Sequence, residues 1–201
     1  MLSDTYHSLA TTSEGFYREK GSKFLAFAFP VADETEVDTQ LAALRKQHHG
    51  ARHHCYAFVL KPTEGQEERY RTSDDGEPTH SAGDPILGQI RSHQLLDVLV
   101  VVVRYFGGTK LGIGGLINAY KTAAADAIAH NRTVEKVRTE DLSIRFDYEA
   151  TSEVQRIIHQ HSVEVVDQEF AAQCHFLLRV AQNSWEEVKA ALAGLPGVIC
   201  S

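Results

Sequence analysis

The chain has 201 residues, 43% of them hydrophobic and 23% charged, with a formal net charge of −7, which leaves room for one large domain or two small ones. Thirteen basic residues stand against sixteen acidic before Asn131, and seven against eleven from it onward, so neither part carries the extended positive field of a duplex-DNA binder. Cys55, Cys174 and Cys200 are too few and too far apart for a disulfide framework, no leading apolar segment reads as a signal peptide, and no apolar run approaches the ~20 residues of a membrane span; the expectation is a cytoplasmic protein that does not enter the membrane.

Residues 1–12 are polar and read as a loosely held lead-in. Two strands follow, Gly15–Glu19 and Lys23–Val31, with Lys20-Gly21-Ser22 as the turn. Asp33 and Glu36 form a capping-box start for a helix with Val37, Leu41 and Leu44 on one face, and Gly50 punctuates its end. His53–Leu60 reads as a strand apolar on both faces, with Cys55, Ala57 and Val59 opposite Tyr56, Phe58 and Leu60. A polar loop over 61–67, with Pro62 and Gly65, leads to a short strand, Glu68–Thr72, and then to the tight turn Asp74-Asp75-Gly76-Glu77-Pro78. Asp84-Pro85 suits the N-cap and first position of a helix buried through Ile86, Leu87 and Ile90.

The central stretch is Asp97–Ala129. Six unbroken apolar residues, Val98–Val103, predict a strand buried on both faces. Arg104 and Tyr105 close it. A loop with five glycines (Gly107, Gly108, Gly112, Gly114 and Gly115) precedes a helix opening near Leu116, with Tyr120, Ala124, Ala127 and Ile128 on its apolar face. NRTVEKVRT over 131–139 reads as a linker. Beyond it the order changes: strand Leu142–Tyr148, a helix capped by Thr151 and buried through Val154, Ile157 and Ile158, strands Val163–Asp167 and Phe170–Ala181, a helix boxed by Ser184 and Glu187, and a last strand Val198–Cys200. That β-α-β-β-α-β order is ferredoxin-like.

The glycine loop is the strongest chemical signal. It is not a Walker A loop, because Leu111 follows Lys110, and it is a poor dinucleotide fingerprint, because Ile117 occupies the third glycine position. Two readings stand: a backbone N–H cradle for phosphate, with Arg104, Lys110 and Lys121 adding charge, or glycines that let backbone segments approach closely. In Arg52-His53-His54-Cys55, alternation along a strand puts His53 and Cys55 on one face and His54 on the other, so a metal or Cys-His site would draw on only one pair; a buried structural cysteine is the simpler reading. Asp74, Asp75 and Glu77 could hold Mg²⁺ near a phosphate, or could satisfy backbone N–H groups of their own turn, which Gly76 and Pro78 favour. His159, His161 and His175 are scattered and read as surface or packing residues.

Four motifs in one order, ARHHCYAF at 51–58, SDDGEP at 73–78, AGDPIL at 82–87 and VVVRYFGGTKLGIGGLINAY at 101–120, resemble the YigZ/IMPACT family over most of residues 15–130, and 140–200 is similar to the small C-terminal domain of its bacterial members. The resemblance implies an α+β protein of two domains: residues 1–132 with the fold of ribosomal protein S-five domain two, including a left-handed βαβ crossover, and residues 138–201 with a ferredoxin-like fold similar to domain V of elongation factor G. It implies a groove formed by Lys20, Lys23, Arg52, His53, His54, Asp74, Asp75, Glu77, Arg104, Tyr105 and the loop glycines. His80-Ser81 stands where bacterial members often carry Gly-Thr. Eukaryotic IMPACT proteins regulate translation initiation, and no enzymatic activity is attached to the family. Three functions follow as expectations: a non-enzymatic regulator binding RNA or the translation apparatus, a phosphate-ligand or nucleotide enzyme using Mg²⁺ and a histidine, and a protein–protein module docking through the ferredoxin-like sheet.

Overall fold

The computed structural model describes residues 4–62, 68–171 and 173–201. The part of the expected polar loop between 63 and 67, Gly65 included, lies outside them. Two compact units emerge, one spanning His7–Glu135 and the other joining Lys136–Ser201 to the segment that ends at Tyr6. The expected lead-in and linker are both partly strand: β1 (Thr5–Leu9) pairs with β7 (Thr133–Val137) in a two-stranded sheet. Both are short and polar, so neither shows an apolar pattern that periodicity could detect.

The first unit is built on a five-stranded antiparallel sheet in the order β2 (Ser13–Glu19), β3 (Ser22–Pro30), β6 (Val98–Tyr105), β4 (His53–Leu60), β5 (Arg69–Ser73). The β2–β3 hairpin turns on Lys20 and Gly21 alone, at φ 45° and 82°, the paired left-handed residues of a two-residue hairpin. Because β3 and β4 both run antiparallel to β6, they are parallel to each other, and α1 (Glu34–Gln47) links them across it.

Alternation decides what each face meets. Val98, Val100 and Val102 of β6 join Cys55, Ala57 and Val59 of β4 beneath α2 (Gly83–Ser92) and α3 (Gly112–Ala129). Leu99, Val101 and Val103 join Phe58 and Leu60 beneath Val37, Leu41 and Leu44 of α1. All six β6 side chains from Val98 to Val103 are wholly buried; burying a side chain of this size stabilises the fold by about 1.5–3 kcal/mol.

In the second unit, β8 (Thr139–Phe146), α4 (Thr151–Gln160), β9 (Glu164–Glu169), β10 (Cys174–Ala181), α5 (Trp185–Ala193) and β11 (Ile199–Cys200) form an antiparallel sheet ordered β11-β8-β10-β9. This is the ferredoxin-like arrangement that the element order predicts. Leu142, Ile144 and Phe146 of β8 and Cys174, Phe176, Leu178 and Val180 of β10 pack against Val154, Ile157 and Ile158 of α4 and Val188 and Leu192 of α5.

Capping follows the expectation only in α1, where the Asp33 carboxylate accepts from the Glu36 N–H and the Glu36 carboxylate from the Ala32 N–H. α1 ends at its C-cap His48, two residues before Gly50. Thr151 lies inside α4, its hydroxyl bonded to the Tyr148 carbonyl, because a single 3₁₀ turn (Tyr148–Ala150) precedes the helix. The Ser184 hydroxyl turns back to the Ala181 carbonyl and makes no box with Glu187. Asp84 lies in the first turn of α2 and bonds His80 Nδ1; Ala82 holds the N-cap position. No helix among the described residues is long and apolar enough to cross a membrane.

Candidate functional site

One end of the five-stranded sheet collects most of the residues singled out by sequence. Lys23 of β3 pairs in register with Tyr105 of β6, and Arg104 of β6 with His53 of β4. The turn after β5 folds over the same end, its backbone and carboxylates bonded to His53, His54 and Arg104. These residues nevertheless do not share one open groove. Alternation sends Arg104, His53 and Cys55 to the α2/α3 side and Tyr105 and His54 to the α1 side.

On the α2/α3 side lies a buried polar chain. The Arg104 guanidinium donates to Glu77 at 2.5 Å, with the two side chains 7% and 5% exposed. It also stacks 5.5 Å from the ring centroids of both Phe24 and Phe106. Tyr120, on α3, donates to the same Glu77 oxygen at 2.8 Å. The Cys55 thiol lies 3.0 Å from the Asp74 carbonyl oxygen and 3.3 Å from the Tyr120 hydroxyl. Burial pushes both the Tyr120 hydroxyl and the Cys55 thiol up in pKa; Glu77 adds to both and Asp75 and Asp74 to Cys55, while the hydrogen bond to Tyr120 opposes the rise at Cys55. Burial thus favours the protonated, less nucleophilic form of the Cys55 thiol. Arg104, expected as a surface cation for phosphate, is neutralised inside the protein, because a charge this buried requires a partner.

The acidic turn is consumed by its own architecture. Asp75 and Gly76 adopt φ 40° and 87°, and the Glu77 N–H returns to the Asp74 carbonyl at 2.9 Å. The Asp74 carboxylate accepts from the backbone N–H groups of His80, Ala82 and Gly83 at 2.8, 2.9 and 2.9 Å. It thereby caps α2 from eight and nine residues upstream, a position no local capping pattern reveals. Burial alone would raise its pKa; the three N–H donors reverse this and hold the carboxyl below the ordinary range. The Asp75 carboxylate accepts from the His54 N–H at 2.6 Å, while His53 Nδ1 bonds the Asp75 carbonyl at 2.9 Å. The three carboxylates thus face different partners and do not converge on a cation. Among the described residues no group of three His, Cys, Asp or Glu side chains could hold a metal ion.

On the α1 side, His48 Nδ1 lies 3.1 Å from the Tyr105 hydroxyl and His54 Nδ1 lies 3.8 Å from Asp75, which Arg45 also approaches at 3.7 Å. Burial holds the His54 pKa below its ordinary value; Asp75 opposes this, and Arg45 and His48 reinforce it.

The five glycines divide by role. Gly107 packs bare backbone against the β2–β3 turn: a Cβ there would sit 1.9 Å from the Gly21 carbonyl carbon and 2.1 Å from the Ser22 nitrogen. Its N–H donates to the Ser22 hydroxyl at 3.1 Å. Gly108, Gly112 and Gly114 face open space, with nothing within 4 Å of an added Cβ. α3 opens at Gly112, a full turn before the expected Leu116, so Gly112, Gly114 and Gly115 form its first turn. Its N-cap, Leu111, makes no side-chain capping bond, and the first turn holds no acidic residue. Among the described residues, the first N–H groups of this 18-residue helix have no side-chain cap. Lys20, beside the Gly21–Gly107 contact, and Lys23, Arg52, Lys110 and Lys121 are all exposed. Phe106 is 56% exposed above the Arg104 guanidinium.

Tyr120 and Phe106 are the residues that reading by sequence alone passed over. The one signal for Tyr120 was a hydroxyl on a helix face otherwise made of Leu, Ala and Ile.

Residues 20–128 match the family described as Impact N-terminal domain, and residues 144–195 match one described as Domain of unknown function (DUF1949). An IMPACT family member from Haemophilus influenzae is 33% identical over 86% of this chain and 84% of its own. The IMPACT family member YigZ of Escherichia coli is 31% identical over 81% of this chain and 78% of its own. A crystal structure of a hypothetical protein, 25% identical in sequence, superposes with a TM-score of 0.76 over 99% of this chain and 97% of its own. With the defining N-terminal domain matched over more than half the sequence and relatives aligned across most of their own length, the chain belongs to the IMPACT family.

Proposed function

We propose that this protein works by binding rather than by catalysis, as a regulator of translation that engages the phosphate backbone of an RNA of the translation apparatus through the β6–α3 turn. The observation that carries this reading is the open start of α3. Gly108, Gly112 and Gly114 have open space where a side chain would be, the first two also at positive φ, and among the described residues no side chain caps the helix end and its first turn holds no acidic residue. A helix N-terminus left in this state favours a phosphate oxygen through its free N–H groups and its partial positive charge. Gly114 faces open space, so its missing side chain answers no crowding there, and glycine at a helical position costs about 0.5–1 kcal/mol relative to alanine. Access for a ligand is a physical reason to accept that cost.

Charge and membership in the family agree with this. From Arg138 onward five basic residues face ten acidic ones, whereas the chain before it is nearly balanced at fifteen against seventeen. The acidic excess thus lies away from the glycine turn in sequence. The IMPACT resemblance implies a role in translation. The nucleotide-enzyme alternative is less favoured, since the Asp74 and Glu77 carboxylates that it would need for Mg²⁺ are engaged in internal hydrogen bonds.

The test is binding to structured ribosomal RNA, measured at several salt concentrations, for the parent, Lys110→Glu and Gly114→Asp. Aspartate in the first turn of a helix suits the fold, so the second variant stays folded while placing a negative charge where phosphate would bind. The expected result is salt-sensitive binding weakened by both variants. Equal binding by the parent and Gly114→Asp would sink the reading.

A further inference from the structure

The ferredoxin-like unit carries a second surface that the glycine turn does not involve. β9 is the terminal strand of its sheet, paired on one side with β10 and, among the described residues, on that side only. All six of its residues, Glu164 to Glu169, are exposed. A free strand edge is a row of unpaired backbone N–H and C=O groups, ready to template another strand. Beside this edge a groove of about 470 Å³ runs between β9 and α4, with the buried Ile158, Val163 and Phe176 in its floor, Val165 beside them, and Gln155, His159, Ser162 and Gln168 as its polar lining.

The register separates the two sides of the strand. Val165 and Gln168 lie opposite Leu178 and Phe176, so they stand on the helix side with the groove. Asp167 and Glu169 lie opposite Leu177 and His175, and Glu164 opposite Arg179, all on the uncovered side. The bulge between Leu177 and Leu178 lets Val165 and Asp167 take these opposite faces. One side of the edge is therefore recessed over an apolar floor with polar walls, and the other is lined by carboxylates.

We propose that the β9 edge is a docking site for an extended basic peptide of a partner protein, which adds to the sheet as a fifth strand. Side chains along a strand alternate in direction. An occupant that fits must place aliphatic residues toward the α4 groove and Lys or Arg toward Asp167, Glu169 and Glu164. The charge excludes the two obvious competitors. A second copy of this chain would bring the same three carboxylates against these, and RNA would bring phosphates. Main-chain pairing supplies the adhesion, and the alternate pockets and charges supply the choice of partner.

The experiment titrates the 201-residue chain with a fluorescent peptide of alternating Val and Lys. A peptide of equal composition with its Val and Lys sorted into two blocks serves as the control. Amide hydrogen exchange is followed across β9. The expected result is saturable binding of the alternating peptide, slowed exchange over Val165–Gln168, and an affinity loss of about ten-fold in Asp167→Lys/Glu169→Lys, in line with removal of complementary charge. Equal binding of the blocked peptide, unchanged exchange in β9, or undiminished affinity of the reversed variant overturns the proposal. So does slowed β9 exchange produced by concentrating the protein alone or by adding RNA. Neither peptide arm depends on how well the variant folds, and none of the outcomes depends on the reading of the glycine turn.

Discussion

Arg104 Nη1 lies 2.5 Å from Glu77 Oε1, and both side chains are almost wholly removed from solvent. The pair joins the end of β6 to the turn that follows β5, and Tyr120 ties α3 to the same oxygen. Removing one partner strands a buried charge. Glu77→Ala is expected to cost about 3–5 kcal/mol, while Glu77→Leu combined with Arg104→Met costs less than either single change. Urea denaturation of the two single variants and the double variant checks this; a double variant as unstable as the sum of the singles contradicts it.

Gly107 in the loop after β6 and Gly114 in the first turn of α3 should respond in opposite directions. Gly107→Ala forces a methyl group to within 1.9 Å of the Gly21 backbone, an overlap that neither backbone can relieve by a side-chain movement, so a loss of about 3 kcal/mol is expected. Gly114→Ala meets open space at a helical position and should gain about 0.5–1 kcal/mol. Thermal melts of both variants distinguish a packing glycine from one retained for access.

Asp74 provides a long-range cap. Its carboxylate serves three backbone N–H groups at the start of α2, so Asp74→Ala should destabilise by about 2 kcal/mol or more, and Asp74→Asn by less, since the amide oxygen can still accept. The folded carboxyl is held below its ordinary pKa. Its contribution is therefore present above about pH 4 and lost as pH falls further. Acid titration of the parent against Asp74→Asn should show the parent losing its advantage in that range.

His54 sets a second pH dependence. It is buried, its Nε2 has no hydrogen-bond partner among the described residues, and its pKa is lowered, chiefly by burial. Asp75 raises it, and Arg45 and His48 add to the lowering. The neutral form belongs to the folded state. Above about pH 6.5 folded and unfolded chains are both neutral at this site and stability is complete. As pH falls below that value the unfolded chain takes up the proton first, and stability declines until the folded site also titrates. The stability of His54→Gln should fall less steeply between about pH 7 and pH 5 than that of the parent.

Much of this fold was legible in periodicity. The unbroken run Val98–Val103 marks a strand covered on both faces, and the alternation Cys55/Ala57/Val59 against Tyr56/Phe58/Leu60 assigns each side chain to its core. The β-α-β-β-α-β order specifies the second sheet. These readings succeed because burial acts on every residue of an element, so the signal accumulates over its length. The capping assignments fared worse. Thr151, Ser184 and Asp84 have the right residue types, but the two hydroxyls take the carbonyl that their local turn presents and the Asp84 carboxylate takes the His80 ring.

The sequence by itself determined which elements form, which faces they bury, and that glycines and charges gather around the end of β6. Only the tertiary structure decided what those residues do. Asp74 reaches the start of α2, Glu77 neutralises Arg104, and Gly107 meets Gly21, across separations of 8, 27 and 86 residues. Such pairings depend on where the chain returns in space, and no local period encodes that. The same geometry separated the glycine that packs from those that stay open, and so left the start of α3 as the part of the motif available to a ligand.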